Sequence, residues 1–351
     1  MSNKSNLWQR FFSSKIMMPL ITLAILLLYN LFFTPNFYAM EVKEGHLYGN
    51  LIDILKGATP IMLLAIGLTL VIATKGIDLS VGSVVAISAG VVAIMIGGDL
   101  VMNDGRQVFV TQYPIAVAML CAILVAILAG MWNGVLVSRI GMQPFIATLI
   151  LLVAGRGIAQ LVTQGQIVTI YYKPFFYIAN GYLAGLPFAL YIVLVVLFIT
   201  WLLVRKTAMG MFIEAVGVNP TATRFSGINS KNIIFWCYAF CGFCAGVAGI
   251  IVCSNVKSAD GNNAGNLMEL DAILAVVLGG TSMAGGKFYL MGSIVGAIIV
   301  QTLTTSIYAI GVPPEIAQVV KALVVFIVSV IQSEKFRKQI LGVFGRKELA
   351  A

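Results

Sequence analysis

Charge is scarce in this sequence. Asp, Glu, Lys and Arg together make up 10% of its 351 residues, against about 25% in a soluble domain. So little charge cannot cover a water-exposed surface, which excludes an ordinary soluble enzyme and a disordered chain. Histidine is scarcer still. His46 stands alone in a polar stretch, where solvation is a plainer role than catalysis. Neither an H-E-x-x-H nor a G-x-S-x-G motif occurs, and no cluster has metal-ligand spacing. The five cysteines (121, 237, 241, 244 and 253) all lie in or beside apolar runs, which is not the pattern of a disulfide framework. Cys241-Gly242-Phe243-Cys244 has redox spacing, but with Cys237 it forms a helical stripe in an apolar run. A thiolate is costly there, so packing is the expected role. Gly279–Phe288 superficially resembles a phosphate-binding loop. Thr281 stands where its first glycine is required, and Phe288 where a hydroxyl should reach magnesium, so no nucleotide site is expected on this chain.

What the sequence has in quantity is apolar surface, at 60% of residues and a mean hydropathy of +0.99. The apolar runs are Ile16–Phe33, Gly57–Thr74, Val81–Gly98, Pro114–Val137, Phe145–Thr163, Leu186–Val204, Ile233–Ser254, Asp271–Gly285, Leu290–Gly311 and Ile316–Gln332. At about 20 residues per membrane crossing, they predict an all-α polytopic membrane protein of about ten transmembrane helices. Asp271–Gly285 is short for a full span and is expected to be broken or tilted. The basic residues before the first run suit a signal peptide, but no small-x-small cleavage site follows, so a retained first helix is expected. With the N-terminus inside and the sides alternating, 15 of the 22 basic residues fall on the inner side and 5 outside. The net charge of +9 is therefore a topology signal placing both termini in the cytoplasm, and not a nucleic-acid footprint. The expected organisation is one membrane domain over 1–351. It comprises a cytoplasmic N-terminus (1–15), a helix bundle (16–332) with an inner loop (205–232), and a cytoplasmic tail (333–351).

The inner loop has its own signals. Ala208–Val216 favours helix and Gly217 is suited to end it. Asn219-Pro220 reads as an N-cap followed by a first-turn proline, opening a second short helix to about Phe225, with Gly227 as its stop. A pair of short helices flat on the membrane is one reading, and a solvated amphipathic loop is the other. Leu100–Tyr113 and Gln164–Leu183 are polar-aromatic loops on the outer side. Within the spans, ionisable and amide groups are candidate path residues: Asp78, Ser80, Gln143, Thr148, Arg156, Gln160, Asn263, Glu269, Asp271 and Gln301, with Asn133 and Thr302 adding hydrogen-bonding groups. Asp78 could equally cap the helix that follows it, and Arg156 could pair with a carbonyl or an acid. Gly242-x3-Gly246, Ala245-x3-Gly249 and Gly292-x3-Gly296 predict close helix packing. The Gly-Gly pairs at 97–98, 279–280 and 285–286 mark helix ends or breaks.

Four segments carry a family resemblance. Ala73-Thr-Lys-Gly-Ile-Asp-Leu-Ser-Val-Gly-Ser83, Gln143-Pro-Phe-Ile-Ala-Thr-Leu149, Glu214-Ala-Val-Gly-Val-Asn219 with Ser226-Gly-Ile-Asn229, and Glu269–Gly280 resemble the permease subunits of ribose-type sugar ABC importers. Gly165–Thr169 and Ala259–Gly265 are most similar to the galactofuranose-importer branch of that family. The resemblance spans about residues 50–333 and implies a larger-type (vitamin B12 importer-like) bundle. It implies that the chain binds no cofactor itself, with ATP and magnesium on a partner ATPase. It also implies a periplasmic sugar-binding protein and a second permease chain, a different chain or an identical copy. In such permeases the inner loop docks on the ATPase, here through Glu214, Ala215, Gly217, Asn219, Pro220, Ser226, Gly227 and Ile228. One departure is Lys75, where glycine is more usual; it adds a positive charge beside Asp78, and the pair either lines the path or anchors a helix end. The resemblance further implies that the surroundings are membrane lipid in a bacterial inner membrane. The rival classes are an ion-coupled secondary transporter, which would need coupling acids in its spans, a membrane-embedded enzyme, which would need a catalytic cluster, and a channel, which would need a charged ring or filter loop.

Overall fold

The computed structural model describes residues 16–34, 37–43, 46–97, 100–103 and 106–311, with positions 313, 316, 318–323 and 326 beyond them. The expected N-terminus (1–15) and tail (333–351), Gly98 and most of the tenth run lie outside the described residues. Nine of the ten apolar runs coincide with helices. These are α1 (Met17–Phe33), α2 (Asn50–Ala73), α3 (Val81–Ile96), α4 (Ile115–Val135, extended by a π turn at Leu136–Ile140), α5 (Pro144–Val162), α7 (Phe188–Lys206), α10 (Ser230–Val256), α11 (Met268–Leu278) and α12 (Leu290–Ala309). Three further short helices, α6 (Lys173–Asn180), α8 (Met209–Val218) and α9 (Pro220–Phe225), lie in connections. Residues 316, 318–323 and 326 are helical. Among the described residues, six helices (α2, α4 with its π turn, α5, α7, α10 and α12) are long and apolar enough to cross a membrane.

The bundle has an inner and an outer ring. In the apolar stretch of α2, 83% of residues are buried, against 22% in that of α4. Helix α10 packs against α2, α3 and α4, while α12 packs against α2 and α11. The central helices meet where side chains are missing. A Cβ on Gly242 would stand 3.0 Å from the Cα of Gly130 and would run into the Ala126 carbonyl. One on Gly249 would stand 2.6 Å from the Val85 carbonyl. Gly279 and Gly292 meet backbone to backbone, and Gly296 lies on the Ala275 carbonyl. All three predicted small-x3-small pairs therefore sit at helix crossings, as lipid-embedded packing requires. Cys237, Cys241 and Cys244 are buried beside them, in the packing role expected of that stripe.

One boundary differs most from expectation, while the eighth run is short, as expected. Helix α2 starts at Asn50, seven residues before its apolar run, because Asp53 and Lys56 are accommodated at its exposed end. Lys56 Nζ donates to Asn180 Oδ1 at 2.7 Å. Pro60 inside α2 leaves the Lys56 carbonyl without its helical donor, and the Thr59 hydroxyl supplies one at 2.7 Å. The eighth run is helical only over Met268–Leu278, a half-span that ends where Gly280 takes a positive φ. Connections between the long helices carry short strands: β3 (Leu100–Asn103) pairs with β4 (Arg106–Phe109), and β5 (Val168–Thr169) pairs with β8 (Ser258–Ala259). The small hairpins β1–β2 (Glu41–Lys43, His46–Tyr48) and β6–β7 (Tyr182–Leu183, Leu186–Pro187) lie at the same end. His46 is not simply solvated. Its ring stacks on Tyr182 with centroids 4.8 Å apart.

The glycine crossings give a direct prediction. Gly242→Val should lower the yield of monodisperse chain several-fold in size-exclusion chromatography. Gly157→Ala, where a Cβ meets nothing within 4 Å, should leave the yield unchanged.

Candidate functional site

The predicted site residues separate into three groups. The first surrounds the linker between α2 and α3. Asp78 is buried, and its Oδ1 accepts from Ser80 N at 2.9 Å and Ser80 Oγ at 2.6 Å. Asn133 Nδ2 on α4 donates to Ser80 Oγ at 2.8 Å and reaches Asp78 Oδ1 at 3.3 Å. The preceding carbonyl, Ile77 O, accepts from Thr148 Oγ1 of α5 and from the Tyr238 hydroxyl of α10, each at 3.3 Å. Asp78 thus binds the backbone that opens α3 and joins that turn to α4, while Ile77 joins it to α5 and α10. Asn133 Oδ1 is buried without a partner among the described residues. Gln143 lies apart from this group, exposed at the start of α5.

Lys75 does not pair with Asp78. Helix α2 ends with Lys75 N bonded to Ile72 O and Gly76 N to Val71 O, and with Lys75 at φ 65°. This is the left-handed closing position that favours glycine. The lysine side chain crosses instead to α8, where Nζ donates to Val218 O at 2.9 Å. That places a cation on the carbonyl end of α8, where the helix dipole favours it.

The second group is the 205–232 loop. Asn219 Oδ1 accepts from Thr221 N and Ala222 N at 3.0 and 3.1 Å, so the predicted N-cap and first-turn proline are in place, and Gly227 follows at φ 85°. Gly217 is not a helix stop. Helix α8 continues to Val218, and the turn lies at Asn219. Gly217 is glycine because α8 presses there on the bundle: a Cβ would fall on the Ala73 carbonyl and on the Gly286 backbone. Gly286 N in turn donates to Ala73 O at 2.9 Å. Ile213 and Val216 are buried beneath α8, and Ala215, Pro220 and Ile228 are half-buried. Glu214 and Ser226 are exposed. So are Met211, Val218 and Phe225, the last at 89%. A cavity of about 330 Å³ opens beside α8, lined by Arg205, Glu214 and Tyr289 among others.

The third group lies at the opposite end. Arg156 and Gln160 face the same loop from α5. Arg156 Nη1 donates to the carbonyls of Asn262 at 3.3 Å and Ala264 at 2.5 Å, and Gln160 Nε2 donates to Asn262 Oδ1 at 2.6 Å. Arg156 therefore pairs with carbonyls, one of its two open alternatives. Asn263 is exposed and donates to Asp260 Oδ2 at 2.7 Å. Burial opposes ionisation of Asp260, but the Asn263 amide, the Asn262 and Asn263 N–H groups and Arg156 together hold it below the usual carboxylate range. The β5–β8 pairing joins this loop to Gly165–Thr169, so the two segments most similar to one branch of the family are neighbours in space. Glu269 is buried, with Oε2 unpartnered among the described residues, against Gly82 at the start of α3. Asp271 pairs with Lys321 at 2.6 Å. Gln301 lies apart, against Gly57 of α2. The importance of Lys321 and Tyr238 went unread in the sequence. An ionisable residue within an apolar run was the available signal for Lys321, while Tyr238 left none.

Apolar helices of spanning length, polar groups held between them and a glycine-seated helix pair at one end define a multi-pass membrane permease. The chain belongs to the family described as "Branched-chain amino acid transport system / permease component", whose model matches residues 50–329. It is 48% identical over 327 residues to the galactofuranose transporter permease protein of Escherichia coli strain K12, covering 93% of this chain and 92% of that one. It is 37% identical over 353 residues to the fructose import permease protein of Bifidobacterium longum, covering 99% and 96%. It is also 35% identical over 334 residues to the ribose import permease protein of Escherichia coli strain K12, covering 93% and 97%. No solved structure matches the chain significantly.

Two outcomes test the polar groups. Asn133→Leu removes a donor from a buried carboxylate, at a cost of about 1–3 kcal/mol, and should lower the thermal midpoint of the detergent-purified chain. Arg156→Lys keeps the charge but loses the planar fork, and should speed limited proteolysis within 257–267 several-fold.

Proposed function

We propose that this chain is the membrane-spanning permease subunit of an ATP-driven sugar importer in a bacterial inner membrane. A galactofuranose-type sugar is the first candidate substrate, with ribose or another monosaccharide as the alternative. The observation that carries the reading is the helix pair α8–α9. It is rigidly seated by Gly217 on Ala73 and Gly286, strapped by Lys75, and still presents Met211, Val218 and Phe225 outward. An exposed apolar patch on a fixed helix is the form a docking element takes. The occupant is an ABC ATPase subunit, which supplies the nucleotide chemistry with its own ATP and magnesium. A solvated loop would not transmit a push, whereas a packed helix pair passes displacement directly into α2 and the turn before α12.

The remaining parts of the proposal follow from this seat. The α8–α9 end is cytoplasmic, both termini lie inside, and the described helices with the tenth run make a bundle of about ten, of the vitamin B12 importer-like type. The coupling residues are Glu214, Ala215, Gly217, Asn219, Pro220, Ser226, Gly227 and Ile228. The loop held by Arg156 and Gln160 faces a periplasmic sugar-binding protein. A second permease chain, a different chain or else an identical copy, completes the core, and Asp78, Ser80, Gln143, Thr148, Arg156, Gln160, Asn263, Glu269, Asp271 and Gln301 serve the path or its gates. The chain itself is not an enzyme.

The test is reconstitution of this chain with its ATPase, second permease and binding protein in liposomes. Gly217→Val and Phe225→Glu should each lower ATP-dependent sugar uptake by about tenfold or more, the loss of about 1.4 kcal/mol or more of coupling, with the chain still inserted. Uptake that persists without the ATPase and collapses with a proton uncoupler would instead establish an ion-coupled transporter.

A further inference from the structure

The cavity of about 330 Å³ beside α8 lies between the last turn of α7, α8 itself and the start of α12. That volume is at the lower end of small-molecule sites, about 300–1,000 Å³. Arg205 of α7 and Glu214 of α8 both line it. Both are exposed, and neither has a hydrogen-bond or ion-pair partner among the described residues. They do not pair with each other, so the cavity presents a separate cation and a separate anion. Met211 and Met291 line the same space and are exposed, which adds apolar surface beside the charges.

The position of Arg205 defines the surroundings. It stands in the last turn of the spanning helix α7 and ends a stripe at helical spacing, formed by Leu194, Phe198, Trp201 and Arg205. Leu194 and Phe198 are exposed, and the Phe198 and Trp201 rings stack with centroids 6.2 Å apart. Helix α7 packs on α2, α6 and α8, and this stripe is left outward. Apolar, then aromatic, then cationic is the order in which a bilayer passes from hydrocarbon to interface. Arg205 and the cavity are therefore at headgroup level. A soluble anion has no use for the apolar stripe, and an anionic lipid meets repulsion from Glu214. A headgroup that carries both a phosphate and a primary ammonium matches the two charges, and its acyl chains match the stripe.

We propose that this cavity binds the headgroup of an aminophospholipid of the phosphatidylethanolamine class. Arg205 holds the phosphate through its planar fork, Glu214 accepts from the ammonium, and an acyl chain lies along Trp201 and Phe198. The lipid thereby bridges the end of α7 to α8 and steadies the helix pair from the membrane side. Only the assignment of this lipid to the cytoplasmic leaflet rests on the orientation given above.

The experiment uses the delipidated full chain in detergent. Phosphatidylethanolamine, phosphatidylcholine and phosphatidylglycerol with brominated acyl chains are titrated as quenchers of its tryptophan fluorescence. Phosphatidylethanolamine should quench saturably and bind about tenfold more tightly than the other two, the effect of one charged hydrogen bond. Phosphatidylcholine has no ammonium proton to give Glu214, and phosphatidylglycerol has no ammonium. Trp201→Phe should remove the saturable component. Arg205→Gln should weaken binding of phosphatidylethanolamine by about tenfold or more. Glu214→Gln should erase the preference for phosphatidylethanolamine over phosphatidylglycerol, a change of selectivity that misfolding would not produce. Lys206→Gln, beside Arg205 but outside the cavity lining, should change neither. Equal quenching by all three lipids would overturn the proposal, as would binding unchanged in both Arg205→Gln and Glu214→Gln. Tighter binding of phosphatidylglycerol would replace it with an anionic-lipid surface. Displacement by soluble phosphoethanolamine at the concentration of the lipid would replace it with a soluble ligand. Loss of quenching when the ATPase is added would give the cavity to that partner. The readout is lipid binding, so failure of the sugar-importer reading would leave it unaffected.

Discussion

Backbone must meet backbone at the centre of this bundle, and most of the structure depends on that constraint. Lipid is as apolar as leucine, so burying large side chains gives helices in a bilayer little reason to associate. Association comes from close approach, and close approach needs missing side chains. Gly130 and Gly242, Gly249 and Val85, and Gly279 and Gly292 provide those approaches. They hold α10 against α3 and α4, and α12 against α11. Asn133, Tyr238 and Asp271 are carried on these same helices, so their positions follow from the glycine seams.

The same device connects the bundle to its surface element. Gly217 lets α8 lie on the end of α2, and Gly286 brings the turn before α12 to the same carbonyl. Lys75 shows two demands meeting at one residue. Its backbone closes α2 in a conformation that costs a non-glycine residue roughly 1 kcal/mol, and its side chain offsets that cost by bonding the carbonyl end of α8. Three residues away, Asp78 holds the opening turn of α3, and the Ile77 carbonyl is held from α5 and α10. Movement of α8 therefore reaches a linker in contact with several helices, without crossing a flexible segment.

Much of this was legible in advance, for identifiable reasons. Apolar runs located nine helices because a span must satisfy its backbone internally. Asn219-Pro220 located the start of α9 because capping is a local interaction. Arg156 and Gln160 lay on one face because helical periodicity puts residues four apart together. Gly217 was misread as a helix stop because a glycine looks the same in sequence whether it relieves φ or a clash. Lys75 was unexplained for a related reason: its partner lies 143 residues away. The early start of α2 escaped because Asn180, which receives Lys56, belongs to another loop.

Local chemistry in the sequence determined the membrane class, the helix pair in the inner loop and the residues that required partners. Scarce charge, apolar periodicity and caps act within a few residues and need no fold to be read. Only the tertiary structure decided which partners those residues found. It gave Lys75 to Val218, Arg156 to the carbonyls of the 260–264 loop, and Asp271 to Lys321. Each pairing joins segments distant in the chain, and which polar group a buried residue reaches depends on how closely the glycine seams let the helices approach.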